Sequence, residues 1–389
     1  MPQTAVPMRL ATAIRPYDWG SVTALPELFG TEPTGRPQAE LWMGAHPGDP
    51  STVEGTPLNE LIAGDPAGTL GERSAARFGP VLPYLLKVLA IERPLSLQVH
   101  PTTAQAEAGF ADETARGVPL DDFARTYKDA SHKPEMVCAI TPFHGLCGFR
   151  EPAATADLLD RLGLPGLRPW IDTLRAEEAG QALRTVFAQI FDDASRPLRA
   201  QVEQALLARD DDDLAGYAAI ARSCPADPGV VAALLLHHVN LLPGQALYLG
   251  AGVPHAYLGG IGVEIMANSD NVLRCGLTSK HIDVPELMRV VDFTPGDPFL
   301  VRPSHDVQGE YDYRPPAPEF GLTRYDLTEG TAHSLPGGVP QIVVCIEGEA
   351  HLGAGLTLRP GQSAFIPATA ASTPLAGKGT AYRAQPSPS

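Results

Sequence analysis

The sequence predicts a mainly β protein with a helical block set into it and a second β unit at its C-terminal end. Three observations carry that reading. Gly (38) and Pro (39) make up about a fifth of the 389 residues, a turn-rich composition that helix bundles do not tolerate. Short alternating runs recur through the first 150 residues. Between residues 151 and 238 the alternation gives way to Ala, Leu, Arg and acidic residues with helical spacing.

Taken in order, Pro83 to Ala90 is an apolar run broken only by Lys87. Leu95 to His100 alternates, and Met136 to Ile140 and Leu146 to Phe149 are further short strands. In the central block Leu183, Val186, Phe187, Ile190 and Phe191 fall at i, i+3, i+4, i+7 and i+8, one face of a helix. Val202, Ala205 and Leu206 begin a second such face. Strand character resumes at Leu241 and runs to Phe293. Six prolines between Pro295 and Pro318 mark a crossover, and strands return after Phe320. The expected domains are residues 1–150 with 239–295, a helical insertion at 151–238, and a β domain at 296–389. A short repeat links the β units. Pro243-Gly244-Gln245 precedes Ala246-Leu247-Tyr248-Leu249, and Pro360-Gly361-Gln362 precedes Ser363-Ala364-Phe365-Ile366. Only the first copy continues to a Pro-His pair, so only it is expected to bind metal. The tail Pro386 to Ser389 is expected to be disordered.

A formal net charge of −16 repels nucleic acid and anionic membranes, so neither is an expected partner. A phosphorylated substrate would then need local cations. Five scattered cysteines with no CxxC pair argue against disulfides or a thiolate metal site, and for a reducing cytoplasm. Met1 to Leu10 lacks the charged-then-apolar pattern of a signal peptide, and the run Val230 to Leu242 is too short and polar to span a bilayer.

The chemistry concentrates in a few segments. In a strand, Ser96, Gln98 and His100 share one face, and the backbones of Gln98 and His100 lie about 7 Å apart, able to converge on one ion. His132-Lys133-Pro134-Glu135 packs three ionisable groups into four residues. His255 and Tyr257 share a strand face, as do Glu264 and Met266, with Val263 and Ile265 behind. Gln98, His100, Glu135 and His255 thus supply a donor set suited to one zinc ion with an open position. Arg274 and Lys280 are the cations of the polar stretch 268–280, and Lys87 sits oddly inside an apolar strand, as an edge charge or a pocket lining.

The stretches Tyr17-Asp18-Trp19-Gly20-Ser21, Glu40-Leu41-Trp42-Met43-Gly44, Gln98-Val99-His100-Pro101, Tyr127-Lys128-Asp129, His132-Lys133-Pro134-Glu135-Met136, Gly252-Val253-Pro254-His255-Ala256-Tyr257 and Ser269 to Thr278 resemble the type I phosphomannose isomerases of the cupin superfamily. The resemblance covers residues 15–295. It implies a double-stranded β-helix (jelly roll) with an inserted helical domain and a metal-free C-terminal β domain. It implies one zinc ion per chain on Gln98, His100, Glu135 and His255, with Arg274 at the reacting centre. Lys133, Glu264, Asp270, Tyr257, Lys280, His132 and Trp19 would line the pocket, and Ser96, Lys87 and Lys280 are candidates for gripping a sugar phosphate. The expected reaction interconverts mannose 6-phosphate and fructose 6-phosphate through a cis-enediol, with Lys133 or Glu264 as base, in a monomer. Family members often carry Asn where Ser131 stands and Asp where Thr102 stands. A metal-dependent cupin oxygenase would favour more histidine than this set contains.

Overall fold

The computed structural model describes residues 5–209, 211–306, 308–353 and 355–387; Pro388 and Ser389 of the tail lie outside the described residues. Two antiparallel sheets dominate, with the helices clustered in the middle of the chain.

Five strands position the site: β1 (Glu40–Gly44), β2 (Tyr84–Ile91), β3 (Leu97–Val99), β4 (Glu135–Ala139) and β5 (Phe143–Phe149). Two more complete it: β6 (His255–Ala267) and β7 (Leu273–Gly276). All belong to one sheet that, among the described residues, has eleven strands. β6 closes it on itself. Its first residues pair with β5, and His255 also pairs with Gln98 of β3. From Gly260 onward it pairs with β2, and from Gly262 with β4. The switch needs a glycine. Gly260 has φ +110°, and a Cβ there would stand 2.5 Å from the Pro142 carbonyl oxygen. The result is the jelly roll that the resemblance implied.

The alternation of β6 sorts its side chains as expected. Val263 and Ile265 are fully buried in the core shared with the second sheet, where they meet Leu86, Val88, Met136, Ile342, Val344, Phe365 and Tyr382. Met266 turns the other way, against Trp42 and Leu85. The second sheet holds nine strands, mostly C-terminal. One of them is Met8–Leu10, which leaves the first sheet to pair with Ser363–Ile366. The repeat is a real structural echo. Gly244 and Gly361 take φ +83° and +79°. Gln245 Oε1 accepts from Leu242 N–H at 2.8 Å, and Gln362 Oε1 from Arg359 N–H at 3.0 Å. The same glutamine-closed turn therefore launches a strand in each β unit.

Helices fill the chain between β5 and the strand Leu236–Leu241. Leu183, Val186, Phe187 and Ile190 form the buried face of the helix Ala179–Phe191, with Phe187 edge-on to Phe149 of β5 at 5.7 Å. Burying such side chains stabilises by roughly 1.5–3 kcal/mol each, which ties the helices to the sheet. The strand expected from Leu241 in fact begins at Leu236. His237, His238 and Asn240 disguise it, because they lie on its more accessible positions while Leu236, Val239 and Leu241 are buried. Among the described residues, no helix is long and apolar enough to cross a membrane.

Candidate metal and proton-transfer site

Two cross-strand rows of side chains build the site. Antiparallel register sets His255 opposite Gln98, and Gln98 opposite Arg274. Directly opposed residues share a sheet face, so β6, β3 and β7 present His255, Gln98 and Arg274 together. A second row runs Trp42, Lys87, Glu264 across β1, β2 and β6.

His100 and Glu135 join the first row from the end of β3 and the start of β4. Ligand atoms of His100, Glu135 and His255 lie within 4.8 Å of one another, and all three residues are buried. His100 Nε2 stands 3.2 Å from Glu135 Oε1, and His255 Nε2 stands 3.4 Å from Glu135 Oε2. Gln98 Nε2 is 3.4 Å from His255 Nε2. Although buried, His100 Nε2 and Glu135 Oε2 make no hydrogen bond with any described residue. Orphaned inward donors of this kind fit a cation, since leaving them bare costs free energy. The outer nitrogens are occupied. His100 Nδ1 donates to the Asn271 carbonyl at 2.7 Å, and His255 Nδ1 to the Val253 carbonyl at 2.8 Å. Both rings are thereby oriented with Nε2 inward. Burial lowers the His100 imidazole to about 4, keeping it neutral and able to ligate. Burial alone would raise Glu135, but Lys133 and His100 hold it well below the usual carboxylate range. Lys133 Nζ lies 3.1 Å from Glu135 Oε1.

In the second row Lys87 Nζ is bracketed by Glu264 Oε2 at 3.1 Å and Glu40 Oε2 at 3.3 Å. Trp42 Nε1 donates to the same Glu40 oxygen at 2.5 Å, and the Lys87 ammonium lies over the Trp42 ring. Burial would lower Lys87, yet Glu40 and Glu264 raise it above its ordinary value. Glu264 is the complement: burial raises its carboxyl, and Lys87 only partly opposes. Tyr257, beside the His255 ring, is raised by burial and then by Glu264.

The other expected residues are more dispersed. Arg274 is half-buried and makes no hydrogen bond or ion pair with any described residue, and burial lowers it. Lys280 is exposed, and it is lowered by burial and then by Arg274. These two are free cations in an acidic protein. Ser96 Oγ lies 3.4 Å from Gln98 Oε1. Asp270 faces His46 Nε2 at 3.4 Å, a contact that lowers its carboxyl. Trp19 stacks on Tyr17 at 5.9 Å. His132 Nε2 pairs with Glu319 Oε1 at 2.8 Å, so the C-terminal segment reaches the residue preceding Lys133.

Sequence reasoning did not single out Glu40, His46, Asn271 or Glu319 as partners. Glu40 lies in one of the quoted motifs, which was its only signal. Both family departures have local hydrogen-bonding roles. Thr102 caps the helix Thr103–Ala115, with its side chain accepting from Gln105 N–H, a role Asp fills equally well. The Ser131 side chain is exposed, and the bonds it makes run through its backbone.

Comparisons with known proteins agree with this geometry. A family model described as the catalytic domain of type I phosphomannose isomerase matches residues 8–152, and one described as the mannose-6-phosphate isomerase cupin domain matches 314–386. Mannose-6-phosphate isomerase from Escherichia coli is 40% identical over 391 residues, covering 96% of this chain and 98% of that protein. The Homo sapiens protein of the same name is 32% identical over 361 residues, covering 82% of this chain and 81% of its own length. A zinc-bound mannose 6-phosphate isomerase structure superposes with a TM-score of 0.91 at 38% identity, over 99% of this chain and all of that one. A variant of phosphomannose isomerase from Salmonella typhimurium gives 0.92 at 38% identity.

Proposed function

The chain belongs to the type I phosphomannose isomerase family, and from that premise we propose that it interconverts mannose 6-phosphate and fructose 6-phosphate with one zinc ion held by Gln98, His100, Glu135 and His255. The observation that carries the reading is the alignment of Arg274 in one cross-strand row with Gln98 and His255, beside the orphaned donors of His100 and Glu135. When bound, zinc supplies Lewis-acid polarisation of the sugar's carbonyl oxygen.

The C2–H of an open-chain aldose is a very weak acid, so its removal needs a base and support for the developing negative oxygen. Arg274, with no competing side-chain partner among the described residues, supplies that support. Glu264 takes the C2 proton, and O1 is protonated to give a cis-enediol. As O2 gives up its hydroxyl proton, Glu264 returns a proton at C1, so the net change moves one proton from C2 to C1 and one from O2 to O1. A carboxyl raised by burial suits this work, because a base performs best when its pKa approaches the working pH. Lys87 is committed to two carboxylates and stays charged, which steadies Glu264 electrostatically. Lys133 is the second candidate base, since it touches Glu135. Lys280, a cation with no ion-pair partner among the described residues, and Ser96, next to Gln98, are assigned to grip the phosphate. Asp270, Tyr257, His132 and Trp19 are assigned to the remaining wall of the pocket.

A coupled assay should show turnover of mannose 6-phosphate far above that of glucose 6-phosphate. Equal rates on the two, or none on either, would remove the reading. Run in D₂O, the reaction should place solvent deuterium at C1 of fructose 6-phosphate. Complete retention of the original hydrogen, with none exchanged even into unreacted mannose 6-phosphate on long incubation, would favour a hydride shift over the enediol.

A further inference from the structure

Asn271 is completely buried, and each of its polar groups is used. Its side-chain oxygen accepts from the N–H groups of Lys128 at 2.7 Å and Asp129 at 3.3 Å. Its side-chain nitrogen donates to the carbonyls of Asp129 at 2.8 Å and Ser131 at 2.9 Å, and to Asp129 Oδ1 at 3.2 Å. Its own N–H donates to Ser269 Oγ at 3.2 Å. Asp129 answers from the other side. Its Oδ1 accepts from Ser131 N–H at 2.9 Å and Ser269 Oγ at 2.8 Å, and its Oδ2 accepts from Asp270 N–H at 2.8 Å. Two loops are thus sewn together. One leads into His132, Lys133 and Glu135; the other carries Asp270 and leads into Arg274.

The Asn271 carbonyl leaves this network and accepts a hydrogen bond from His100 Nδ1–H at 2.7 Å. A carbonyl can only accept, so this bond defines the His100 tautomer and points Nε2 at Glu135. Loop backbone of this length would otherwise sample many conformations, and ordering it costs about 1–2 kcal/mol per residue. The network meets that cost with charge-assisted bonds to one carboxylate.

We infer that Asp129 and Asn271 are positioning residues: together they form a clasp that orients the ligand His100 and fixes the spacing between the two substrate-facing loops. The clasp touches neither metal nor substrate and acts through His100, Lys133 and Arg274. The inference rests on the assignment of His100 as a ligand made above. It goes further in naming what holds that ligand in register.

The test uses the zinc-loaded enzyme. Zinc release to a chromophoric chelator is followed for wild type, Asn271→Ala, Asp129→Ala and Asp129→Asn. Both alanine variants keep the Asn271 carbonyl but release the loop that aims it at His100, so the 10–100-fold cost typical of losing a ligating histidine's outer partner is the upper limit of their effect. Release from the two alanine variants should therefore be faster, by up to about 10–100-fold, with kcat falling more than KM rises. Asp129→Asn keeps one acceptor oxygen and should fall between them and wild type. Variants that melt earlier yet release zinc and turn over like wild type would show a merely structural clasp and overturn the inference. A wild type that retains no zinc would instead overturn the ligand assignment. Should the variants fail to fold, ¹⁵N NMR of the histidine rings in wild-type holoenzyme decides. Protonated Nδ1 with metal-bound Nε2 on His100 supports the clasp, and the opposite tautomer refutes it.

Discussion

Arg274→Ala is expected to lower kcat about 10²–10³-fold while the protein keeps its zinc, the range for removing one preorganised stabiliser of a developing oxyanion. The size of the effect follows from the residue's isolation. Arg274 is half-buried with no side-chain partner among the described residues, and burial already lowers its pKa, so the site bears the cost of a cation that no described group compensates. That cost is offset when negative charge appears on the substrate. Zinc should stay, because removing Arg274 takes away none of the four donors. Metal analysis of the variant beside its kinetics checks both halves. Turnover near the wild-type value would remove Arg274 from the chemistry.

Glu264→Gln is expected to cost about 10²–10⁴ in kcat, the usual worth of a general base. The amide nearly preserves shape, so folding and zinc content should hold. The pH profile separates this from a packing defect. A base must be ionised, and burial raises the Glu264 carboxyl above its ordinary value. As pH falls through that raised pKa the carboxylate gains a proton, and wild-type kcat/KM should fall with it, in a window above the usual carboxylate value of about 4.3. The residual activity of the variant should lose that acid limb. If Lys133 were the base, Glu264→Gln would keep most of its rate, and Lys133→Met would show the large loss.

How far the sequence could be read divides along a physical line. Period-two alternation reports which face a side chain occupies, and it correctly turned Glu264 with Met266 one way and Val263 with Ile265 the other. It could also pair Gln98 with His100. It could not report which strand lies alongside. The row joining Arg274, Gln98 and His255 depends on register between segments more than 150 residues apart, and family motifs, not spacing, linked them. Lys87 shows the same limit. Its place in an apolar strand suggested either an edge charge or a phosphate grip, and the structure puts it between Glu40 and Glu264, each contributed by a different neighbouring strand. Asn271 left no signal of its bond to His100, since the acceptor is a backbone carbonyl. The excursion of Met8–Leu10 to pair with Ser363–Ile366 has no local signature at all.

The central claim is that isomerisation depends on one zinc ion seated among Gln98, His100, Glu135 and His255. Exhaustive chelation followed by zinc titration, with mannose 6-phosphate turnover as readout, tests it most directly. The account predicts loss of activity on chelation and linear recovery that saturates at one zinc per chain. Full activity in demonstrably metal-free enzyme would contradict it.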